Sequence, residues 1–424
     1  MKTLVALAVL VTAGARTVGW DDLPPAVRSR LQQSGHSAST FPGFVSSLAR
    51  EADMRVREGD FDHLVFYVLQ STHFTTLPPI EPALSAKAFV AGGAVPSSAA
   101  ARMAAFLRTI DSADADPRVA YFRALIGGVA PRERRVLIER EYARGMRFLY
   151  EKEFADRSKA ADLYRTRGLS TDTAVEAGYG VHAGLGVLKG LDPPRKIRRV
   201  LIVGPGIDLA PRTGLLEVGP PESYQPWAVI DALVSLGLSR LDDLEVVGGD
   251  INPRVVNHLR ASRNRPPVLR LVSGIGESDT VTFVPGYRDY FTTLGRAVGS
   301  SRDGTRVPSG HLSKTVGVSA AAAATLRAES LNIVTERLTG EPFDLVIATN
   351  ILPYFDDTDL LLAVTNIASM LTPGGVFLHN DTRPHVQEDA ALAGLPPEHL
   401  RQVMIANVKG APPLADTIVL HRKR

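Results

Sequence analysis

Apolar residues recur at helical spacing through most of the first 190 residues. One stripe repeats every three or four positions, over Phe44, Val45, Leu48, Ala52 and Val56. Residues at this spacing share one face of a helix. Another helix is predicted to begin at Pro131, because proline is favoured in the first turn of a helix. The pattern therefore predicts an α-helical N-terminal domain over residues 20–190.

The hydrophobic pattern changes at residue 199, where a short and nearly continuous apolar run, Arg199–Val203, ends at Gly204. Such a run is typical of a strand buried on both faces of a parallel sheet. Further strands are predicted over 244–250, 325–334, 343–350 and 376–379, with helices over 253–262 and 357–371. Strands that alternate with helices indicate a doubly wound α/β domain, which we place at residues 191–424.

The predicted sheet has seven strands and ends in an antiparallel hairpin over residues 402–408 and 417–421, where apolar and polar positions alternate. Residues 263–324 show weak periodicity and many Gly, Ser and Pro residues. We therefore expect this segment to be an insertion between the second helix and the third strand of the domain.

The first 15 residues have the layout of a signal peptide. A single Lys2 precedes the apolar run 4–11, and Ala13-Gly14-Ala15 forms a small-residue cleavage site. We expect export to the periplasm or beyond if this signal functions, and a cytoplasmic protein if it does not. The competing interpretation is a buried first helix.

Composition narrows the chemistry. The 424 residues contain no cysteine, which excludes disulfides, thiol nucleophiles and Cys-ligated metals. The formal net charge is +3, and positive and negative residues are interspersed without a basic stripe, so nucleic acid is not an expected partner. The histidines show no metal-ligand spacing, and beyond the N-terminus no apolar stretch is long enough to span a membrane.

Candidate chemistry lies at the predicted strand ends. Gly204-Pro205-Gly206 follows the first strand and lets a ligand approach the backbone, and Asp250 ends the second strand, where a carboxylate can bind a ribose diol. A dinucleotide fingerprint would need glycine where Leu209 stands, and no phosphate-binding GK[ST] sequence is present. Asn350 and Tyr354 follow the strand at 343–350 and are expected to face the crevice above the sheet.

This order of motifs resembles that of class I S-adenosylmethionine-dependent methyltransferases. The resemblance rests on Val200–Gly206, Asp250, the sequence FDLVIATN at 343–350 and the sequence LTPGGVFLHND at 371–381. Within that superfamily, Leu331-Asn332-Ile333 and the sequence TNILPYF at 349–355 are similar to the chemotaxis-receptor glutamate methyltransferases. The layout GPG…QP…D-x-x-P-R is also similar to that of a group of bacterial proteins.

The resemblance implies S-adenosylmethionine as the cofactor and assigns roles to individual residues. It places Asn332 and Ile333 against adenine and Asp250 against the ribose, with Gly204 and Gly206 in the cofactor loop. It also places Asn350 and Tyr354 beside the methyl group, as both cofactor-contacting and catalytic candidates. Thr349 stands where the chemotaxis enzymes have arginine, so a receptor glutamate is not the expected acceptor.

The acceptor itself, a small molecule or a protein, is not identified by these motifs. Glu222, in a segment similar to a substrate loop of the chemotaxis enzymes, and Glu176 and Tyr179, near an expected lid, are substrate-binding candidates. His379, Asp381, His385 and Tyr354 are candidates for a general base. Because a functional signal peptide would remove the protein from cytoplasmic S-adenosylmethionine, the alternative is a noncatalytic exported binding protein on the same scaffold.

Overall fold

The computed structural model describes residues 14–112, 114–155, 160–210, 214–303 and 307–424. Most of the expected signal peptide, residues 1–13, lies outside the described residues. Within the part of the chain that is described, no helix combines the length and the hydropathy needed to cross a membrane.

The chain before residue 192 is largely helical. Its helices are α1 (Pro25–Gln33), α2 (Phe41–Gln70), α3 (Pro82–Gly92), α4 (Ser97–Ile110), α5 (Pro117–Ile126), α6 (Pro131–Phe154), α7 (Ala160–Arg165) and α8 (Val175–Leu191). Proline occupies the first or second position of α1, α2, α3, α5 and α6. Proline lacks a backbone N–H and is preset for the helical φ, so it starts these helices at no hydrogen-bonding cost. The predicted helix start at Pro131 is confirmed.

The strands form three separate sheets. In chain order they are β1 (Ala15–Thr17), β2 (Arg199–Val203), β3 (Glu245–Asp250), β4 (Val268–Val272), β5 (Val281–Phe283), β6 (Gly299–Asp303), β7 (Ser313–Val318), β8 (Leu326–Ser330), β9 (Glu336–Leu338), β10 (Phe343–Ala348), β11 (Leu371–His379), β12 (Pro397–Val408) and β13 (Leu414–Arg422). The helices among them are α9 (Gln225–Ser235), α10 (Pro253–Asn264), α11 (Pro285–Thr293), α12 (Ala320–Thr325), α13 (Asp357–Met370) and α14 (Pro384–Leu392).

The central sheet has eight strands in the spatial order β5-β12-β13-β11-β10-β2-β3-β8. The strands β11, β10, β2, β3 and β8 run parallel, whereas β13 is antiparallel to both of its neighbours. The chain runs outward from β2 through β3 to β8 and then returns to β10 on the other side of β2. The space beyond the carboxyl ends of β2 and β10 is therefore the switch point at which doubly wound sheets bind ligands.

The expected number of strands needs correction, and the expected insertion contains regular structure. The sheet has eight strands rather than seven, because β5 adds an antiparallel edge strand beside β12. The segment 263–324 also has regular structure, since it contains a three-stranded sheet in the order β4-β7-β6 and helices α11 and α12. Weak periodicity concealed these strands because each is short. The two hairpin strands at the C-terminus, β12 and β13, begin earlier than expected and pair with each other.

Both faces of the sheet are covered, and the N-terminal helices contribute to both cores. Val200 and Ile202 of β2 pack in one core, and Leu201 and Val203 in the other, as the alternation of a strand requires. Helix α2 contributes to both: Val45 lies in the second core and the run 64–69 in the first. The helix therefore passes over the carboxyl edge of the sheet from one face to the other.

Candidate functional site

The turn after β2 packs against the segment that precedes α8. Gly204 and Gly206 have φ of +64° and +69°, in the left-handed region that favours glycine. A Cβ at Gly206 would lie 2.1 Å from the carbonyl oxygen of Thr171. Ile207 N donates to that oxygen at 3.0 Å, and Thr171 Oγ1 donates to Ile207 O at 2.9 Å. Gly206 is thus required by a close approach of the chain itself, and residues 169–173 are held on the turn.

Asp250, at the end of β3, directs its carboxylate toward the same turn. The residue is 6% exposed, and it accepts hydrogen bonds from Asn252 N at 2.8 Å and Gly206 N at 3.3 Å. Burial raises the pKa of Asp250 to about 6, and the two backbone N–H groups oppose that rise. Each carboxylate oxygen retains a lone pair, so the group can accept further hydrogen bonds from a diol.

A first cavity lies over this turn, at the switch point of the sheet. The cofactor candidates Gly204, Gly206, Asp250, Asn332 and Ile333 all line it. Its remaining wall comes from residues 169–171, from the turn after β10 and from one face of α2. The structure therefore brings together five of the six residues that the sequence assigned to the cofactor.

Helix α2 closes the first cavity from above. Leu48, Ala52, Arg55 and Val56, spaced every three or four residues, contribute to its lining. The cavity volume is about 100 Å³, below the roughly 300–1,000 Å³ of most small-molecule pockets. A ligand as large as a nucleoside therefore fits only if part of the wall, to which α2 contributes, moves outward.

Asn350 occupies a different position from the one expected. Its φ is +62°, which makes it the one described non-glycine residue with a left-handed backbone. Its backbone N–H donates to Asn380 Oδ1 at 2.9 Å, and Asn380 Nδ2 donates to Asn350 Oδ1 at 2.7 Å. This amide pair directs Asn350 into a second cavity and not into the first. Asn350 thus lines the second cavity and not the first, and its expected contact with the cofactor stays a prediction.

Tyr354 lies at the boundary of the two cavities. It is 9% exposed, its ring packs edge-to-face on Tyr164 with centroids 5.5 Å apart, and its carbonyl accepts from Arg55 Nη2 at 2.8 Å. Tyr354 and Ser170 line both cavities. Burial raises the pKa of Tyr354, which the positive charge of Arg167 opposes. The phenol is therefore a neutral hydrogen-bonding group at this boundary.

The second cavity is much larger, with a volume of about 780 Å³. It lies between the N-terminal helices, Asp208, residues 215–222 and β4, and Glu222 lines it as well as Asn350. Asp208 and Arg118 also line it, and the sequence analysis selected neither of them. The size is within the range of small-molecule pockets.

Glu176 and Tyr179 are not part of either cavity lining. Glu176 is 7% exposed and accepts hydrogen bonds from Tyr287 Oη at 2.9 Å and Ile275 N at 3.3 Å. Tyr179 packs on Tyr287 and Tyr290, with ring centroids 5.4 and 5.2 Å apart. Both attach α8 to α11, a helix in the segment expected to be an insertion, and their substrate-binding role stays a prediction.

Three of the base candidates are also placed elsewhere. His379 is buried against His421, with their Nε2 atoms 2.9 Å apart, and Asp381 is paired with Arg383 at 2.6 Å. Neither these residues nor His385 line a cavity described above. Within the described ranges, no group of three or more His, Asp or Glu side chains is arranged to hold a metal ion.

Sequence reasoning missed Arg55 and Asp208 for different reasons. The stripe on α2 that includes Leu48 was used only to predict a helix, and periodicity does not show what a helix face covers. Asp208 follows the glycine turn by two residues and is paired through its backbone with Glu222, 14 residues later in the chain. The signal available in the sequence was that Asp208 and Glu222 each follow a glycine, Gly206 and Gly219, by a few residues.

Comparisons with known proteins were made for families, curated proteins and solved structures. No family model matches the chain, and no curated protein matches it. Among solved structures, N-methyltransferase NodS from Bradyrhizobium japonicum WM9 is 14% identical, with 57% of this chain and 93% of that chain covered and a TM-score of 0.29.

Two further solved structures give similar values. Magnesium protoporphyrin IX methyltransferase ChlM from Synechocystis PCC 6803, with bound S-adenosylmethionine, is 9% identical over 65% of this chain and 94% of that chain, with a TM-score of 0.30. A TehB-like S-adenosylmethionine-dependent methyltransferase from Corynebacterium glutamicum is 12% identical over 63% of this chain and 94% of that chain, with a TM-score of 0.27. Scores this low carry no argument, so the fold assignment rests on the observed strand order. These three solved structures are methyltransferases by name, and their likeness does not place this chain in a family.

Proposed function

We propose that this protein transfers a methyl group from S-adenosylmethionine to an acceptor bound in the second cavity. The observation that carries the proposal is the arrangement of two cavities at the switch point, which meet at Ser170 and Tyr354. A methyl donor in one cavity and an acceptor in the other would face each other across this boundary. The sulfonium is already activated, so the protein needs mainly to align the two molecules and exclude water.

The residues of the first cavity fit S-adenosylmethionine chemically. Asp250 would accept hydrogen bonds from the ribose hydroxyls, and Asn332 and Ile333 would contact adenine. Asp359 supplies a third polar contact, because its Oδ1 is buried without a hydrogen-bond partner among the described residues. Burial raises the pKa of Asp359 to about 7, and the nearby charge of Arg55 opposes this rise. An amino group of the ligand would satisfy that oxygen.

Tyr354 and Asn350 would act on the acceptor side. The raised pKa of Tyr354 keeps its phenol protonated at neutral pH, so it would donate a hydrogen bond and position a ligand rather than remove a proton. Asn350 would contact the acceptor from the second cavity, with its amide oriented by Asn380.

Calorimetric titration with S-adenosylmethionine, S-adenosylhomocysteine and NAD tests the proposal. We expect the first two to bind and NAD not to bind. In Asp250→Ala the ribose hydroxyls lose their acceptor, at a cost of roughly 1–3 kcal/mol, or about tenfold to a hundredfold in affinity.

The matched control is Asp231→Ala. Asp231 is also a buried aspartate, 5% exposed, that accepts a backbone N–H, from Ala297 at 2.7 Å, but it lines neither cavity. Its replacement should leave S-adenosylmethionine affinity within about twofold. A folded protein that binds neither S-adenosylmethionine nor S-adenosylhomocysteine would instead favour a noncatalytic binding protein on this scaffold.

A further inference from the structure

The second cavity has the dimensions and walls of a small-molecule site. Its volume of about 780 Å³ lies well within the range of about 300–1,000 Å³ that such sites occupy. One part of its wall is apolar and consists of Leu149, Val175, Leu215, Leu216, Val218 and Leu271. The apolar body of an organic ligand would pack there, which leaves the polar groups of the wall to select its head group.

Two carboxyl groups converge on this cavity. Asp208 and Glu222 form an antiparallel backbone bridge, in which Asp208 N donates to Glu222 O at 2.8 Å. Residues directly opposite in such a bridge direct their side chains to the same face. Both side chains line the cavity, and Asp208 Oδ1 is shielded from solvent with no hydrogen-bond partner in the described part of the chain. A buried oxygen without a partner requires a donor, and here the ligand can supply it.

The cationic side chains that act on these carboxyl groups, Arg118 and Arg270, donate to backbone carbonyls. Arg118 donates from Nε to Leu209 O at 2.7 Å and from Nη2 to Gly219 O at 2.8 Å, and Arg270 donates from Nη1 to Val218 O at 3.3 Å. Arg167, elsewhere in the wall, pairs with Asp62 at 3.3 Å and keeps a buried Nε without a hydrogen-bond partner among the described residues. Beside the two carboxyl groups, the unpartnered atom is therefore an acceptor, Asp208 Oδ1.

Burial also makes both carboxyl groups easy to protonate. The pKa of Asp208 rises to about 8, because burial and the charge of Asp172 outweigh the charge of Arg118. Burial likewise raises the pKa of Glu222 to about 8, against the charges of Arg270 and Arg118. A carboxylate in this range can take up a proton released by a ligand at neutral pH.

We propose that the second cavity binds an acceptor through a basic amine, held by Asp208 and Glu222 with its apolar body against Leu216 and Leu271. The role of this amine as a methyl acceptor rests on the methyl-transfer function proposed above, whereas the binding of an amine in this cavity does not. The basic amine binds as an ammonium and first passes a proton to the Asp208 carboxylate, which frees its lone pair. The lone pair then forms the bond to the methyl carbon, the bond from that carbon to sulfur breaks with its electron pair retained by sulfur, and the nitrogen becomes a methylammonium.

Three probes with one skeleton test this inference: 2-phenylethylamine, 2-phenylethanol and 3-phenylpropanoate, each titrated into the protein without S-adenosylmethionine. The amine should bind at least tenfold more tightly than the alcohol, and the carboxylate should not bind measurably. Asp208→Asn and Glu222→Gln should each weaken amine binding at least tenfold. In the control Glu153→Gln, which removes a charge at the rim of the same cavity, affinity should change less than twofold.

Three results would overturn the inference: no amine binding at millimolar concentration, carboxylate binding equal to that of the amine, or amine affinity unchanged in Asp208→Asn. Asparagine keeps the volume of Asp208 and cannot ionise, so this variant should melt no lower than the wild type, which separates a lost site from a lost fold. Asp208→Asn should also retain S-adenosylmethionine binding. Binding of the amine but not of S-adenosylmethionine would refute methyl transfer and support the amine site. Binding of S-adenosylmethionine but not of the amine would refute only the amine site.

Discussion

Replacement of Gly206 by alanine tests how the glycine turn and residues 169–173 hold each other. The new Cβ would lie 2.1 Å from Thr171 O, so the segment must retreat by about 1.3 Å to reach the ordinary contact distance of 3.4 Å. This movement breaks the two hydrogen bonds between Thr171 and Ile207, each worth about 1 kcal/mol net. The left-handed φ of +69° costs a non-glycine residue roughly 1–2 kcal/mol more. Together these effects predict a loss of about 3–4 kcal/mol in the free energy of unfolding.

Urea unfolding followed by tryptophan fluorescence measures that loss, and hydrogen exchange at the Ile207 amide locates it. The matched control is Gly186→Ala in α8, where a Cβ would meet nothing within 4 Å. Alanine there should raise the free energy of unfolding by about 0.5–1 kcal/mol, because glycine is costly inside a helix. If Gly206→Ala unfolds at the urea concentration of the wild type, the packing of residues 169–173 on the turn is refuted.

Three further predictions concern other parts of the chain. Burial lowers the pKa of both His379 and His421, so the unfolded state takes up protons first, and the pair should lose stability as pH falls below about 6.5. Between pH 7 and pH 5 the urea midpoint of His379→Gln should therefore fall less than that of the wild type. An equal fall in the two proteins would contradict this. Asn350→Ala should lower the free energy of unfolding by about 1–3 kcal/mol, and Asn350→Gly should lower it less because glycine accepts φ of +62°. Equal losses of the two variants in urea unfolding would contradict a constraint from the backbone. N-terminal sequencing of a C-terminally tagged protein should find Arg16 or a neighbour first, and an intact Met1 would contradict export.

Local patterns predicted the strands that surround the switch point. β2 begins and ends at the predicted residues, because a continuous apolar run bounded by a glycine admits few alternatives. Asp250 closes β3 as expected, since the polar residue ends the apolar run of the strand. For the same reason Gly204, Gly206 and Asp250 could be selected from local patterns, whereas Asn332 and Ile333 were selected only through the family resemblance.

Non-local contacts account for what the sequence did not show. The left-handed backbone of Asn350 is supported by Asn380, which lies at the end of the next strand and not near it in the chain. Glu176 has the polar character of a site residue, but Tyr287 from a distant helix buries it and occupies its carboxylate. No periodicity or spacing encodes such encounters, because they depend on how the elements are arranged around the sheet.

Helix α2 has a consequence for observing this protein experimentally. Its 30 residues extend for about 45 Å at 1.5 Å per residue, with the first cavity beneath its first half. At its first residue, Phe41, the ring lies 5.4 Å from the ring of Trp20 in edge-to-face contact. A ligand that displaces side chains of α2 on entering the first cavity is expected to shift the helix and with it the surroundings of that indole. A change in Trp20 fluorescence on addition of S-adenosylmethionine would then report occupancy without a label.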